Sequence, residues 1–241
     1  KKKREIIMNR IINIGLIGCG VVGLKRISNL PKNFKLIACA DPKISLIKKN
    51  INDKDIFLTK KWNELINLDN LQAVIIATTH HLHSVIIKAC IKKNIHIFVE
   101  KPAGISALET KKIISLLKSK NFIALRVGYN HRYHPAFILA KKIINKNKIG
   151  DLMYLRAVYG HGGRPNYNKE WRFNKKFSGG GELIDKGSHL IDLSRTFLGN
   201  LKVDKHKLKT SFWNMKLEDN CFLILSNKKD NIAFLHASCT E

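Results

Sequence analysis

A chain of 241 residues, 44% of them hydrophobic, can bury a full core as one large or two modest domains. It contains no apolar run of about 18 residues, so no membrane span or membrane partner is expected. The net charge of +26 arises from lysines spread along the whole sequence. A nucleic-acid module would concentrate its charge on one face with interleaved aromatics, so no nucleic-acid partner is expected either.

The first residues, KKKREIIMNR, are basic and precede an apolar run. No small-residue cleavage site follows, and the apolar run reads as a first strand rather than a signal peptide. Met8 is a natural initiator, so residues 1–7 are expected to be upstream sequence or a tail outside the fold. Five cysteines lie far apart without C-x-x-C or Cys/His spacing. They read as buried thiols in a reducing compartment, and a cytoplasmic location is expected.

Residues 12–41, INIGLIGCGVVGLKRISNLPKNFKLIACAD, carry the first functional signal. An apolar run enters Gly18-x-Gly20-x-x-Gly23, a helical stretch follows, and a second apolar run ends at Asp41. Gly18 permits a tight strand-to-helix turn, Gly20 lets backbone approach a pyrophosphate, and Gly23 allows close helix–sheet packing. The first helical residues, Val21 and Val22, present N–H groups and the positive dipole end to phosphate. Asp41 stands where a carboxylate accepts both ribose hydroxyls and repels a 2′-phosphate, which points to NAD. Lys43 and Lys48 leave NADP open as the alternative cofactor.

Further along, apolar runs at 35–40, 72–77, 96–99 and 122–127 alternate with helical stretches at 20–29, 83–93 and 106–120. Ser106 and Glu109 form a capping-box pattern for the last helix. This alternation predicts a parallel sheet covered on both faces, with ligands beyond the carboxyl ends of the strands. At those ends lie Thr78-Thr79-His80-His81-Leu82-His83 and Glu100-Lys101-Pro102. The histidines fit a loop lining a nucleotide site, and no metal is expected there. Lys101, held by the following proline, can bond a substrate hydroxyl and stabilise the charge that develops on its oxygen.

After Asn130 the pattern changes to helix 135–147, strand 152–160, a polar loop at 160–178, helix 183–198 and strands at 207–212, 220–225 and 232–237. This predicts an α+β domain with an open, mainly antiparallel sheet. The chain stops directly after a strand, so the C-terminus is expected to be incomplete. The expected division is thus a tail at 1–7, a Rossmann domain at 8–128 and a substrate domain at 129–241. In the 183–198 helix, Asp185 and His189 are i,i+4 and share a face. A histidine oriented by a carboxylate is a suitable acceptor for an alcohol proton. The preceding loop offers Arg164, Trp171 and Arg172, types that grip anions and stack on sugar faces.

Taken together these features resemble the Gfo/Idh/MocA family, the glucose-fructose oxidoreductase and inositol dehydrogenase group. The resemblance rests on Gly18-x-Gly20-x-x-Gly23, Asp41, Ala77-Thr78-x-x-x-x-His83, Glu100-Lys101-Pro102, Gly128-Tyr129-Asn130-His131-Arg132 and Gly181-x-Leu183-x-Asp185-x-Gly187-x-His189-x-x-Asp192. Thr79 stands where the family usually has proline. The resemblance implies a nicotinamide-dependent oxidoreductase of sugars, sugar derivatives or cyclitols, and the 159–172 loop with the positive charge suits an anionic or nucleotide-linked sugar. It implies Lys101, Asp185 and His189 as the catalytic set, with His189 as acid/base, Asp185 assisting it and Lys101 on the reacting oxygen. It also implies Thr78, His83 and Glu100 around the cofactor, and Asn130 and Arg132 at cofactor or substrate. The open second sheet makes a homo-oligomer the expected state. Two alternatives of the same fold stay open, a glycosidase that uses NAD transiently and a non-catalytic dinucleotide sensor.

Overall fold

A computed structural model describes residues 11–51 and 53–240, so the tail and Met8 lie outside the described residues. The chain divides into two compact units between Gly128 and Tyr129.

The first unit is built on six strands, β1 (Ile12–Ile17), β2 (Phe34–Ala40), β3 (Phe57–Thr59), β4 (Ala73–Ile76), β5 (His96–Val99) and β6 (Leu125–Val127). All pair in parallel in the order β3-β2-β1-β4-β5-β6. This is the doubly wound order, and its strand sequence reverses between β1 and β4. The Ile- and Val-rich strands are buried on both faces, as a parallel sheet under helices requires. Helix His80–Lys92 packs Ile86, Ile87, Cys90 and Ile91 into the core. It begins at His80 rather than at 83, because Thr79 takes the extended N-cap conformation. With φ −68°, Thr79 also keeps the backbone angle a proline would impose.

Ser106 caps helix Ala107–Lys118 by accepting the Glu109 N–H at 3.2 Å. The reciprocal arm reaches one residue further back than a capping box predicts, since the Glu109 carboxylate accepts from Ile105 N at 2.9 Å.

The second unit contains a 3-10 turn (Asn130–Tyr133), helix Pro135–Asn145 and strand β7 (Tyr154–Gly160). A loop with short helical turns leads to helix Ser188–Leu198, followed by β8 (Lys202–Lys209), β9 (Asn220–Ser226) and β10 (Ile232–Ser238). The sheet order is β7-β10-β9-β8, with β7–β10 parallel and the other pairs antiparallel. Leu190 and Leu198 pack against Leu223, Leu225, Leu235 and Ala237 on one face. The strand expected at 207–212 is in fact Lys202–Lys209. Its sequence, KVDKHKLK, has no apolar alternation and the strand is exposed throughout, as suits an edge whose charges discourage further pairing.

All five cysteines are buried as free thiols, and burial pushes Cys90 and Cys221 up to about 12. Among the described residues no helix is long and apolar enough to cross a membrane.

Candidate functional site

In the first unit the candidate residues gather at the carboxyl ends of β1, β2, β4 and β5. Gly18 has φ +93°, and a Cβ there would lie 2.6 Å from the Ala77 carbonyl oxygen. At Gly23 a Cβ would collide with the Gly18 carbonyl, so the helix Val21–Ile27 can lie this close only with glycine at that position. Gly20 is its N-cap, open on the side a Cβ would occupy and without a side-chain capping bond. Val21, 85% exposed, and Val22 flank this entry.

Asp41 is latched across the loop. One carboxylate oxygen accepts from Cys19 N at 2.8 Å, and the other accepts from Lys43 N at 2.8 Å. Each oxygen retains a second lone pair, so the latch leaves acceptor capacity for ribose hydroxyls.

The loops after β4 and β5 are tied to one another. His83 sits between them with Nδ1 2.7 Å from the Pro102 carbonyl and Nε2 3.0 Å from the Thr78 carbonyl. It is 0% exposed, so it holds the two loops in place instead of offering surface to a ligand, a correction to the sequence expectation. Burial lowers its proton affinity, opposed by the two carbonyls. Glu100 is also partnered, by Arg26 at 2.6 Å, an ion pair between β5 and the helix after the glycine loop. Lys101 is half-buried and its peptide to Pro102 is cis. Among the described residues no group of three or more His, Cys, Asp or Glu side chains is disposed to hold a metal.

The second unit gathers its candidates at the entry to helix Ser188–Leu198. This entry is not a regular α-helix, because Leu183–Gly187 forms a π-helical turn. Asp185 therefore leaves from the widened turn and His189 from the first turn of the α-helix. The loop before β9 takes the first N–H groups of this entry. Glu218 accepts Gly181 N at 3.0 Å and Leu183 N at 3.2 Å on its carboxylate, and Glu182 N at 3.1 Å on its carbonyl. Inside the turn, Glu182 and Lys186 form a buried ion pair at 2.6 Å. Burial raises the Glu182 carboxyl above the usual range, and Lys186 opposes that shift.

His189 is 7% exposed and surrounded by rings. His131 stacks on it at 4.2 Å, and Tyr129 and Tyr159 approach at 5.9 and 6.2 Å. Burial raises both phenols, with Asp192 adding to the effect at Tyr129 and Asp185 at Tyr159, so both stay neutral at ordinary pH.

Asn130 is exposed at the start of the 3-10 turn. Arg132 is clamped by both oxygens of Asp192, with Nε donating at 2.6 Å, so it braces the turn against the helix. Trp171 and Arg172 lie in one short 3-10 turn. Arg164 and Arg172 converge on Glu170, Arg172 at 2.9 Å, and Arg172 is also 3.9 Å from Asp185. Both guanidiniums of this loop are thus partnered by carboxylates.

Sequence reasoning gave no role to Glu182, Lys186, Glu218, His131 and Asp219. The first pair has an i,i+4 signature, but only the structure shows it to be buried. Asp219 accepts the N–H groups of Ser211, Phe212 and Trp213 at 2.8–3.0 Å and so folds the loop carrying Glu218. Burial alone would raise its carboxyl, yet these donors hold it below the usual range.

A family model described as "Oxidoreductase family, NAD-binding Rossmann fold" matches residues 12–129, and the GFO/IDH/MocA C-terminal domain model matches residues 137–241. Levoglucosan dehydrogenase of Pseudarthrobacter phenanthrenivorans is 31% identical over 214 residues, 83% of this chain and 54% of that protein. Inositol 2-dehydrogenase of Azotobacter vinelandii is 28% identical over 153 residues, 61% of this chain and 45% of that protein. The chain thus spans about half the length of the curated relatives it matches. A solved levoglucosan dehydrogenase, in complex with NADH and levoglucosan, superposes with a TM-score of 0.87 at 26% identity, covering 96% of this chain and 68% of that one. Two consecutive domain models, in the order read from the motifs, show that the chain belongs to the Gfo/Idh/MocA family of oxidoreductases, with an NAD-binding Rossmann domain first.

Proposed function

We propose that the protein is an NAD-dependent dehydrogenase acting on a hydroxyl of a sugar, sugar derivative or cyclitol. The observation that carries this reading is the glycine loop with Asp41 latched to Cys19 N–H, at the point where the sheet order reverses. The residues fit a dinucleotide. Gly20 has open space above it, Val21 and Val22 give apolar surface, and Asp41 keeps free lone pairs. Gly18, Gly20, Val21, Val22, Gly23, Asp41 and Thr78 would hold it, with His83 and Glu100 supporting the surrounding loops. When bound, its nicotinamide supplies a hydride acceptor.

The chain's own residues handle the proton and the oxygen. Lys101 binds the reacting hydroxyl oxygen and stabilises its developing negative charge. His189 accepts the hydroxyl proton on a ring nitrogen, and Asp185 stabilises the imidazolium that results. Asn130 and Trp171 contact substrate. Arg132, Arg164 and Arg172, bound to Asp192 and Glu170, shape the site. Exposed Phe222, Phe234, Tyr154 and Val158 on the second sheet support self-association through its open face.

Titration of NADH and NADPH, read by fluorescence, tests the cofactor reading. Saturable NADH-selective binding is expected, and Asp41→Ala should reduce the selectivity about tenfold, the equivalent of about 1.4 kcal/mol. No binding by a well-folded chain, or unchanged selectivity in the variant, overturns it. With a polyol panel, His189→Ala should lower turnover by about 10²–10⁴-fold while NADH binding persists.

A further inference from the structure

The ring stacked on His189 is itself titratable. The His131 and His189 centroids are 4.2 Å apart and their planes lie 20° from parallel. His131 belongs to the Asn130–Tyr133 turn, and its neighbour Arg132 is clamped to Asp192 on the His189 helix. The same two elements therefore meet through an ion pair and a ring stack. The ion pair fixes the turn where the rings overlap.

The groups around the pair are balanced. On the helix and its entry lie Asp185, Lys186 and Asp192, with Glu182 paired to Lys186, Arg172 beside Asp185 and Arg132 on Asp192. From before the turn comes Tyr129 and from β7 comes Tyr159, both neutral phenols. The residues of β10 that pack on the helix, such as Leu235 and Ala237, are apolar. Just after β7, burial lowers the proton affinity of His161, which also senses Lys186 and Asp185. The varying charge in direct ring contact with His189 is the His131 imidazole. Two imidazolium rings at this separation repel, so the second proton enters the pair only at lower pH than the first.

We propose that His131 is a positioning residue that holds His189 ready to accept a proton, the two stacked rings taking up protons as one coupled pair. The proposal rests on the reading of His189 as the acid/base.

Nitrogen-15 NMR of the imidazoles, followed against pH in this chain, tests the coupling without any substrate. Wild-type protein should show two steps separated by about one pH unit or more. His131→Phe keeps a flat ring in the stack and removes its charge, so His189 should titrate in one step above the lower wild-type step. His131→Arg places a permanent charge there and should move His189 the opposite way, to the lower step or beyond. A purely structural effect would not reverse sign between the two variants.

Independent wild-type titrations, or shifts of the same sign in both variants, overturn the proposal, and the wild-type curve decides even where a variant fails to fold. The pH dependence of kcat/KM for oxidation should follow the His189 midpoint in each variant. If coupling is present but activity survives His189→Phe, the coupled pair stands and the acid/base assignment of His189 falls.

Discussion

Two helices of this protein begin at candidate chemistry, and they treat their exposed N–H groups in opposite ways. Helix Val21–Ile27 starts at Gly20 without a side-chain capping bond, and the residue after the cap is almost fully exposed. The turn entering helix Ser188–Leu198 receives Glu218, whose carboxylate takes the N–H groups of Gly181 and Leu183. The first start remains available to a phosphate, while the second is filled by the protein's own anion. At the first start, backbone geometry and missing side chains make the site. The second depends on side chains delivered from distant segments, with Glu218 from the loop before β9, Arg172 from the polar loop and His131 from the turn after Gly128.

The largest expected effect tests the side-chain-built start. Lys186→Met leaves Glu182, 0% exposed, without its cation, and removing one partner of a buried pair costs about 3–5 kcal/mol. Burial already raises the Glu182 carboxyl, and Lys186 is what opposes that shift. Without Lys186 the folded state keeps the proton to higher pH than the unfolded state does. The variant should therefore be most stable in acid and lose stability as pH rises through the raised value. Urea unfolding across pH reads both the loss and its slope. Replacing Glu182 by leucine in the same chain should recover most of the loss, and failure to recover would show that the pair does more than neutralise itself.

A smaller loss is expected from the equivalent test of the backbone-built start. Gly23→Ala places a methyl group against the Gly18 carbonyl, and overpacking of this kind costs about 1–3 kcal/mol. Dinucleotide binding should fall more steeply than stability, because the strain relaxes through the loop itself. NADH titration beside thermal unfolding separates the two. A variant that loses stability and keeps its affinity would show that the loop geometry is not the binding determinant.

The difference between the two starts also explains which features are legible in the sequence. Gly18, Gly20, Gly23 and Asp41 lie in one short segment, and each requirement is local, so the amino-acid pattern alone announces the βαβ unit. The strands at 12–17 and 96–99 are equally clear, because apolar runs bounded by polar residues leave little choice of limits. β8 is hard to place because an exposed lysine-rich edge carries no apolar period. The π-helical turn is illegible for a related reason. Its first N–H groups go to Glu218, more than thirty residues downstream, and no local pattern announces that a distant carboxylate will take them. Arg132, Arg164 and Arg172 are visible as chemistry, but their carboxylate partners are not.

The smallest effect concerns His83, where a motif residue of the first unit behaves like the side-chain-built region. A neutral imidazole has one N–H, yet His83 faces two carbonyl oxygens, so only one contact is a hydrogen bond in that state. Burial sets the folded affinity for a second proton below the unfolded one. Its contribution is therefore fully present above the ordinary histidine range and is lost as pH falls through the lowered value. His83→Phe should cost about 1 kcal/mol at neutral pH, the value of one hydrogen bond. Wild type and variant should then converge in acid, where wild type must protonate a buried ring and the variant has nothing to titrate. Thermal unfolding at neutral and acidic pH measures the gap. A gap of constant size would mean that His83 holds the two loops through packing alone, as the glycines of the same unit do.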